Sequence, residues 1–327
     1  MKLSNLKILI LMLFLQNIFF GKTIVDDYGR VVQVPDNITK IYAASPPISM
    51  SLLAFNPDLL VGLNTSFNEQ QKRFVGDLAT KKVVGGFMGQ GRTPNFETLA
   101  SLKPDVVVMW GRMTGYDKIL QKFEKFNIPV LFVKNDSIYD LISQFDLYAK
   151  LTGDINRAKK LISYTKESLS LLEKMKDELS SQKKVRYYFA QGLDGQYSEC
   201  KGSYHLEPFT YASSVNALDC KSKSNYGMER ISLETILISN PDVIVAMEKT
   251  FVDTIYNNPQ LQTLKAVKEK KVFLVPSIPF NYISRPPSFM RLLGIRWLIN
   301  SFYPSLATKS FEKEKEEFEK VFFLNKE

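Results

Sequence analysis

One segment of this chain occurs twice, and the interval between its copies constrains the fold more than any other feature. Glu97-Thr98-Leu99, four further residues and Pro104-Asp105-Val106-Val107-Val108 return as Glu234-Thr235-Ile236, four residues and Pro241-Asp242-Val243-Ile244-Val245. The offset of 137 residues, from Glu97 to Glu234, is too long for a solenoid period and matches a whole α/β lobe. Two lobes of similar build are the simplest reading. Each copy carries a small polar residue two positions before the Glu, Asn95 or Ser232, which can cap a helix and leave the acid in its first turn. Each then breaks at Pro-Asp and enters a β-branched run, the pattern of a strand covered on both faces in a mostly parallel sheet.

At 327 residues with 45% apolar side chains, the chain has room for two cores of roughly 120 to 150 residues. Lys2 and Lys7 precede an apolar stretch from Ile8 to Phe20, after which the sequence turns polar. This reads as a secretory signal over residues 1–21, too short for a comfortable membrane span. An uncleaved anchor is the alternative, because the cleavage region lacks a clean pair of small residues. No cysteine follows that could carry a lipid. A periplasmic location fits, and in an oxidising compartment Cys200 and Cys220 are expected to pair across a polar loop, with metal binding as the weaker option. The net charge of +9 comes from lysines scattered among acids, as from Lys309 to Lys320, which marks a solvated face and not a nucleic-acid stripe.

Strand and helix patterns alternate through residues 22–151: Val31–Pro35, Lys40–Ala44, a helix from Ile48 to Phe55, a strand starting at Leu60–Leu63, then Ile128–Val133 and a helix from Ile138 to Leu151. The rhythm breaks over 152–182. Ala158, Leu161, Ile162, Leu169, Leu172 and Met175 recur at helical spacing without Pro or Gly from Asp154 to Ser180, so one amphipathic helix of about 27 residues, roughly 40 Å long, links the lobes. Residues 183–327 restart with Lys184–Ala190 and close with Lys271–Pro276 and helices over Ser288–Phe302 and Ser305–Phe322. The expected class is α/β: two Rossmann-like lobes joined by one long backbone helix, with a ligand cleft between them.

Asp27-Tyr28-Gly29-Arg30-Val31-Val32-Gln33-Val34-Pro35, Lys40 to Pro46, the two Glu…Pro-Asp-Val segments, Gly153 to Ala158 and Ala266 to Phe273 follow one another in an order that resembles a single clan. The chain is similar to the helix-linked, two-lobed substrate-binding proteins of ABC importers for iron siderophores, haem, cobalamin and nickel chelates. The resemblance implies a monomeric periplasmic component that delivers a small-molecule metal chelate to a permease dimer at the inner membrane. It also implies that Glu97 and Glu234 dock the permease, one per lobe; as helix-start acids they also favour the helix dipole. An exported two-lobed sensor that docks a receptor is the alternative, as is a cobalamin carrier.

The cleft of such a fold lies at the carboxyl ends of the strands. Reading those loops gives Pro47, Phe87, Met88, Arg92, Trp110 and Arg112 from the first lobe, and Tyr197, Tyr204, Tyr226, Met247, Phe280 and Arg285 from the second. Aromatics suit a bulky chelate and arginines suit its carboxylate or catecholate oxygens, although any one of these aromatics serves packing equally well. His205 is the only histidine. With two paired cysteines it cannot supply a metal with four to six ligands, so the chelator brings most of the coordination to Fe or Ni, and His205 completes an open position at most. No prosthetic group is implied. Catalysis is not expected either: no GxSxG elbow precedes a helix, and Gly86 to Gly91 lacks both a dinucleotide fingerprint and a Walker lysine.

Overall fold

The computed structural model describes residues 21–88, 93–112, 115–223, 227–306 and 311–323. The signal segment up to residue 20, together with Arg92 and Tyr226, lies outside the described residues. The described residues open with an antiparallel hairpin of β1 (Gly21–Val25) and β2 (Val31–Pro35). Asp26 ties it down: its buried carboxylate accepts from the amides of Tyr28, Arg30 and Phe132, each at 3.0 Å.

Both copies of the repeated segment become helix and central strand. In the first lobe β3 (Ile41–Ala43), β4 (Val106–Trp110) and β5 (Val130–Val133) form a parallel sheet in the order β3-β4-β5. In the second, β6 (Arg186–Ala190) is followed by the short β7 (Tyr197–Ser198), β8 (Val215–Asn216) and β9 (Glu229–Arg230), then by β10 (Val243–Ala246) and β11 (Val272–Leu274). The main sheet there is also parallel, in the order β11-β10-β6-β8. Strands β4 and β10 are central and buried along their whole length, as unbroken apolar runs require. Asn95 and Ser232 cap their helices by accepting from Thr98 and Thr235 amides at 2.9 and 3.1 Å.

The Pro-Asp pair does more than break the helix. Asp105 accepts from the Thr39 and Lys40 amides, both at 2.8 Å, and Asp242 accepts from the Arg186 amide at 3.0 Å. In each lobe the repeated aspartate thus fastens the start of the neighbouring strand.

Ile155–Leu179 forms the linking helix, 25 residues and about 37 Å long, capped by Asp154. Its apolar stripe enters a core that runs without interruption from Ile41 and Val106 in one lobe to Tyr187 and Val245 in the other. The helix is not the sole bridge. The terminal helix Phe311–Phe322 returns to the joint, where Phe322 stacks on Phe289 at 4.7 Å and reaches Phe145 of the first lobe at 6.5 Å. Leu60–Leu63, expected to be a strand, makes only isolated parallel bridges, Ile41 to Leu60 and Leu63 to Val83. The segment crosses from one partner to the next at Gly62, where a Cβ would stand 2.8 Å from the Lys82 carbonyl.

Candidate ligand-binding cleft

Strand β4 ends at Trp110 and the chain turns through Gly111 to Arg112; strand β3 ends just before Ser45, and Pro46 and Pro47 start the helix Pro46–Phe55. These carboxyl ends face second-lobe loops. Trp110, 2% exposed, meets the Tyr204 ring edge-on at 5.1 Å, and the Arg112 guanidinium lies 4.9 Å from the same ring while pairing with Asp136 at 2.7 Å. Burial pushes the Tyr204 phenol above its ordinary value, against the pull of Arg285 and Arg112. His205 is buried beside Tyr204, with rings 4.1 Å apart, and its Nδ1 is bonded to the Ser284 hydroxyl.

Arg285 approaches from the last loop of the second lobe with φ +61, a conformation that side-chain-bearing residues seldom adopt. Its Nε donates to Gln191 Oε1 at 2.6 Å and its Nη2 pairs with Glu199, whose side chain is wholly buried. Arg285, Pro46, Ser49, Asn64, Phe67 and Phe280 line a cavity of about 180 Å³ between the lobes. A second tie crosses the joint: Glu207 accepts from Ser137 Oγ at 2.6 Å and the Ile138 amide at 2.9 Å, and it pairs with the buried Arg291. Burial lowers the Arg291 pKa against the field of Glu207. Guanidinium groups, a phenol and aromatic faces gathered in this way suit an anion rich in oxygen.

The residues expected in the cleft divide into three groups. Trp110, Arg112, Tyr204 and His205 gather at one place, and Phe280 and Arg285 share the cavity wall. Pro47 is buried in the first turn of its helix, Met88 rests half-buried on the main core, and the Met247 sulfur accepts from Asn281 Nδ2 at 3.4 Å. Phe87 packs on Phe96 at 5.5 Å inside the first lobe, and Tyr197 lies under the Arg230 guanidinium at 4.9 Å. Cys200 and Cys220 form a disulfide. Glu97 and Glu234 are exposed in the first turns of their helices and make no ion pair among the described residues. Among the described residues no three His, Cys, Asp or Glu side chains cluster so as to hold a metal ion, and no helix there is long and apolar enough to cross a membrane.

Glu199, Glu207, Arg291 and Asp136 escaped the sequence reading. Arg291 did leave a signal, as a lone charge inside the apolar run Phe289-Met290-Arg291-Leu292-Leu293. The three acids left none, because their roles depend on partners 24 to 86 residues away.

The model of the family described as periplasmic binding protein matches residues 64–279. The molybdate-binding protein MolA of Haemophilus influenzae is 25% identical over 92% of this chain and 91% of its own length. The Fe(3+)-citrate-binding protein YfmC of Bacillus subtilis is 27% identical over 59% of this chain and 62% of its own. Among solved structures, an ABC transporter solute binding protein from Sulfurospirillum deleyianum superposes with a TM-score of 0.83 at 29% identity, covering 92% of this chain and 94% of that one.

Proposed function

The chain belongs to the periplasmic binding protein family, the two-lobed solute-binding proteins of ABC importers, and from that premise we propose that it carries an oxygen-rich metal chelate of iron or nickel to a permease dimer at the inner membrane. The observation that supports this reading is that Arg112 lies over the Tyr204 ring across the joint while Arg285 lines a cavity between the lobes, both guanidinium groups acting on the Tyr204 phenol. Guanidinium forks take carboxylate oxygens of a chelator in pairs, and a chelator that brings its own donors leaves the protein only outer contacts to make. The relative that binds ferric citrate carries a cargo of this chemistry. Exposed Glu97 and Glu234, one on each lobe, are the groups that meet basic residues of the permease, and the carrier works as a monomer. A second reading, a bare tetrahedral oxyanion, is favoured by the likeness to a molybdate-binding protein over nearly the full chain.

Tryptophan fluorescence decides between them, since Trp110 touches Tyr204 in the cleft. Mature protein is titrated with ferric citrate, nickel with histidine, molybdate and free Ni²⁺. Saturable quenching by a chelate with weak response to the free ion supports the first reading, and saturation by molybdate alone supports the second. Tight binding of free Ni²⁺ overturns both.

A further inference from the structure

Glu199 has no solvent-exposed side-chain surface, yet it sits directly behind a cleft arginine. Its Oε1 receives Gln191 Nε2 at 2.9 Å and Arg285 Nη2 at 2.5 Å, and its Oε2 receives Ser203 Oγ at 2.7 Å. The Met228 amide donates to the same carboxylate, at 3.3 Å from Oε1. Gly227 covers the carboxylate so closely that a Cβ there would stand 1.8 Å from Glu199 Oε2, so no side chain fits at that position while the acid stays in its place. A buried carboxylate is retained only where donors surround it, and here they do.

The arginine it holds is clamped along one edge. Nε goes to Gln191 and Nη2 to Glu199, while the side chain keeps 25% of its surface exposed and forms part of the cavity wall beside Pro46 and Asn64. Arg285 also stands at φ +61, where a non-glycine residue is strained and persists only when neighbours over-determine it. We propose that Glu199 is the positioning residue for Arg285: without touching the ligand, it fixes the guanidinium so that its outer edge faces the cleft. A side chain held this way loses little rotamer freedom on binding, and the ligand gains the difference as affinity. The inference rests on the reading of Arg285 as a ligand contact, and its test separates the two.

In apo protein labelled with nitrogen-15, the Arg285 Nε–H signal, identified by its disappearance in Arg285→Lys, is expected to be sharp and slow to exchange. In Glu199→Gln it is expected to broaden into solvent exchange, and an unchanged signal overturns the proposal whatever the ligand proves to be. Glu199→Asp, which keeps the charge but draws the carboxylate back from Arg285 Nη2 and Gln191 Nε2 while leaving the Nε acceptor in place, gives the same readout if Glu199→Gln does not fold. Affinity is then read in a double-mutant cycle with ferric citrate and molybdate as probes. Glu199→Gln is expected to weaken the probe that wild type binds about tenfold, or about 1.4 kcal/mol, and to have no effect in an Arg285→Ala background. A loss of equal size in that background shows that Glu199 acts on the fold at large and overturns the proposal. If Arg285→Ala leaves affinity unchanged, the reading of Arg285 as a ligand contact fails, while the Nε–H signal still decides what Glu199 does.

Discussion

The two copies of the repeated segment share their backbone construction and differ in what lies behind it. Both have a capped helix, an exposed Glu in the first turn and an Asp that fastens the neighbouring strand. In the first lobe Phe96 packs on Phe87 and Phe123 at 5.5 and 5.1 Å, and Lys122 caps the cluster 4.7 Å from the Phe96 ring. The residue at the same place in the second copy is Leu233, and behind it a cavity of about 870 Å³ opens between Ile236, Phe251, Thr254 and Leu261. Local structure therefore follows the repeated letters, while packing follows the unrepeated ones.

The largest expected effect tests that contrast. Phe123→Ala, at a wholly buried position, should cost about 3–5 kcal/mol in denaturant unfolding. Leu233→Ala, half-buried at the edge of an existing cavity, should cost about 1 kcal/mol. Equal losses would show that the second lobe closes over its cavity in solution. Leu233→Phe sharpens the same point: it should hold or raise stability by about 0.5–2 kcal/mol if the space is there to fill.

The disulfide belongs to the second lobe alone. It closes a loop with a sequence separation of 20 that carries Tyr204 and His205, and its removal in the Cys200→Ser/Cys220→Ser double variant should cost about 3 kcal/mol. The cleft should loosen with it, so hydrogen exchange is expected to rise over residues 200–220 and to stay unchanged in β3, β4 and β5. Faster exchange in both sheets would mean that the shared core, and not the loop, feels the loss.

The order of elements was legible because it rests on local rules. Asn95 and Ser232 announce helix starts, the Pro-Asp breaks end them, and the β-branched runs can only be covered strands. The linking helix was legible for the same reason, its apolar stripe being unbroken from Ala158 to Met175. In the candidate site, residue type and place were legible together: Arg112, Tyr204 and Arg285 have side chains suited to anions, and the structure sets Arg112 over Tyr204 and Arg285 in the wall of a cavity between the lobes. Glu199 and Glu207 were out of reach, since what marks each is the arginine it pairs with, and those arginines stand 86 and 84 residues further along the chain. Phe87 and Tyr197 stand in such loops too, where their rings also serve packing, one on Phe96 and the other under Arg230.

The caps should behave alike in the two lobes. Asn95→Ala and Ser232→Ala each remove one acceptor from one helix amide, and each should cost about 1 kcal/mol. A clear inequality would show that the Ser232 bond is shared with Thr235 Oγ1, 2.8 Å away, to an extent that Asn95 has no counterpart for.

The smallest stability effect belongs to the glutamates, and it separates two roles that one residue can hold. As a first-turn acid, each is worth about 0.3–1 kcal/mol to its helix, so Glu97→Gln and Glu234→Gln should each lower stability by no more than about that amount, with ligand affinity unchanged there and in the reversals Glu97→Arg and Glu234→Arg. As docking groups they would act on delivery. Each single reversal should then reduce uptake by cells, and the double reversal should abolish it, because two separated contacts set the carrier's orientation on a permease dimer. Charge reversal at a matching permease arginine should restore part of the loss. If uptake tolerates both reversals, the repeated Glu is a helix-start acid and no more, and the duplication reflects how each lobe is built. If only one reversal matters, the lobes differ in docking as they already differ in packing.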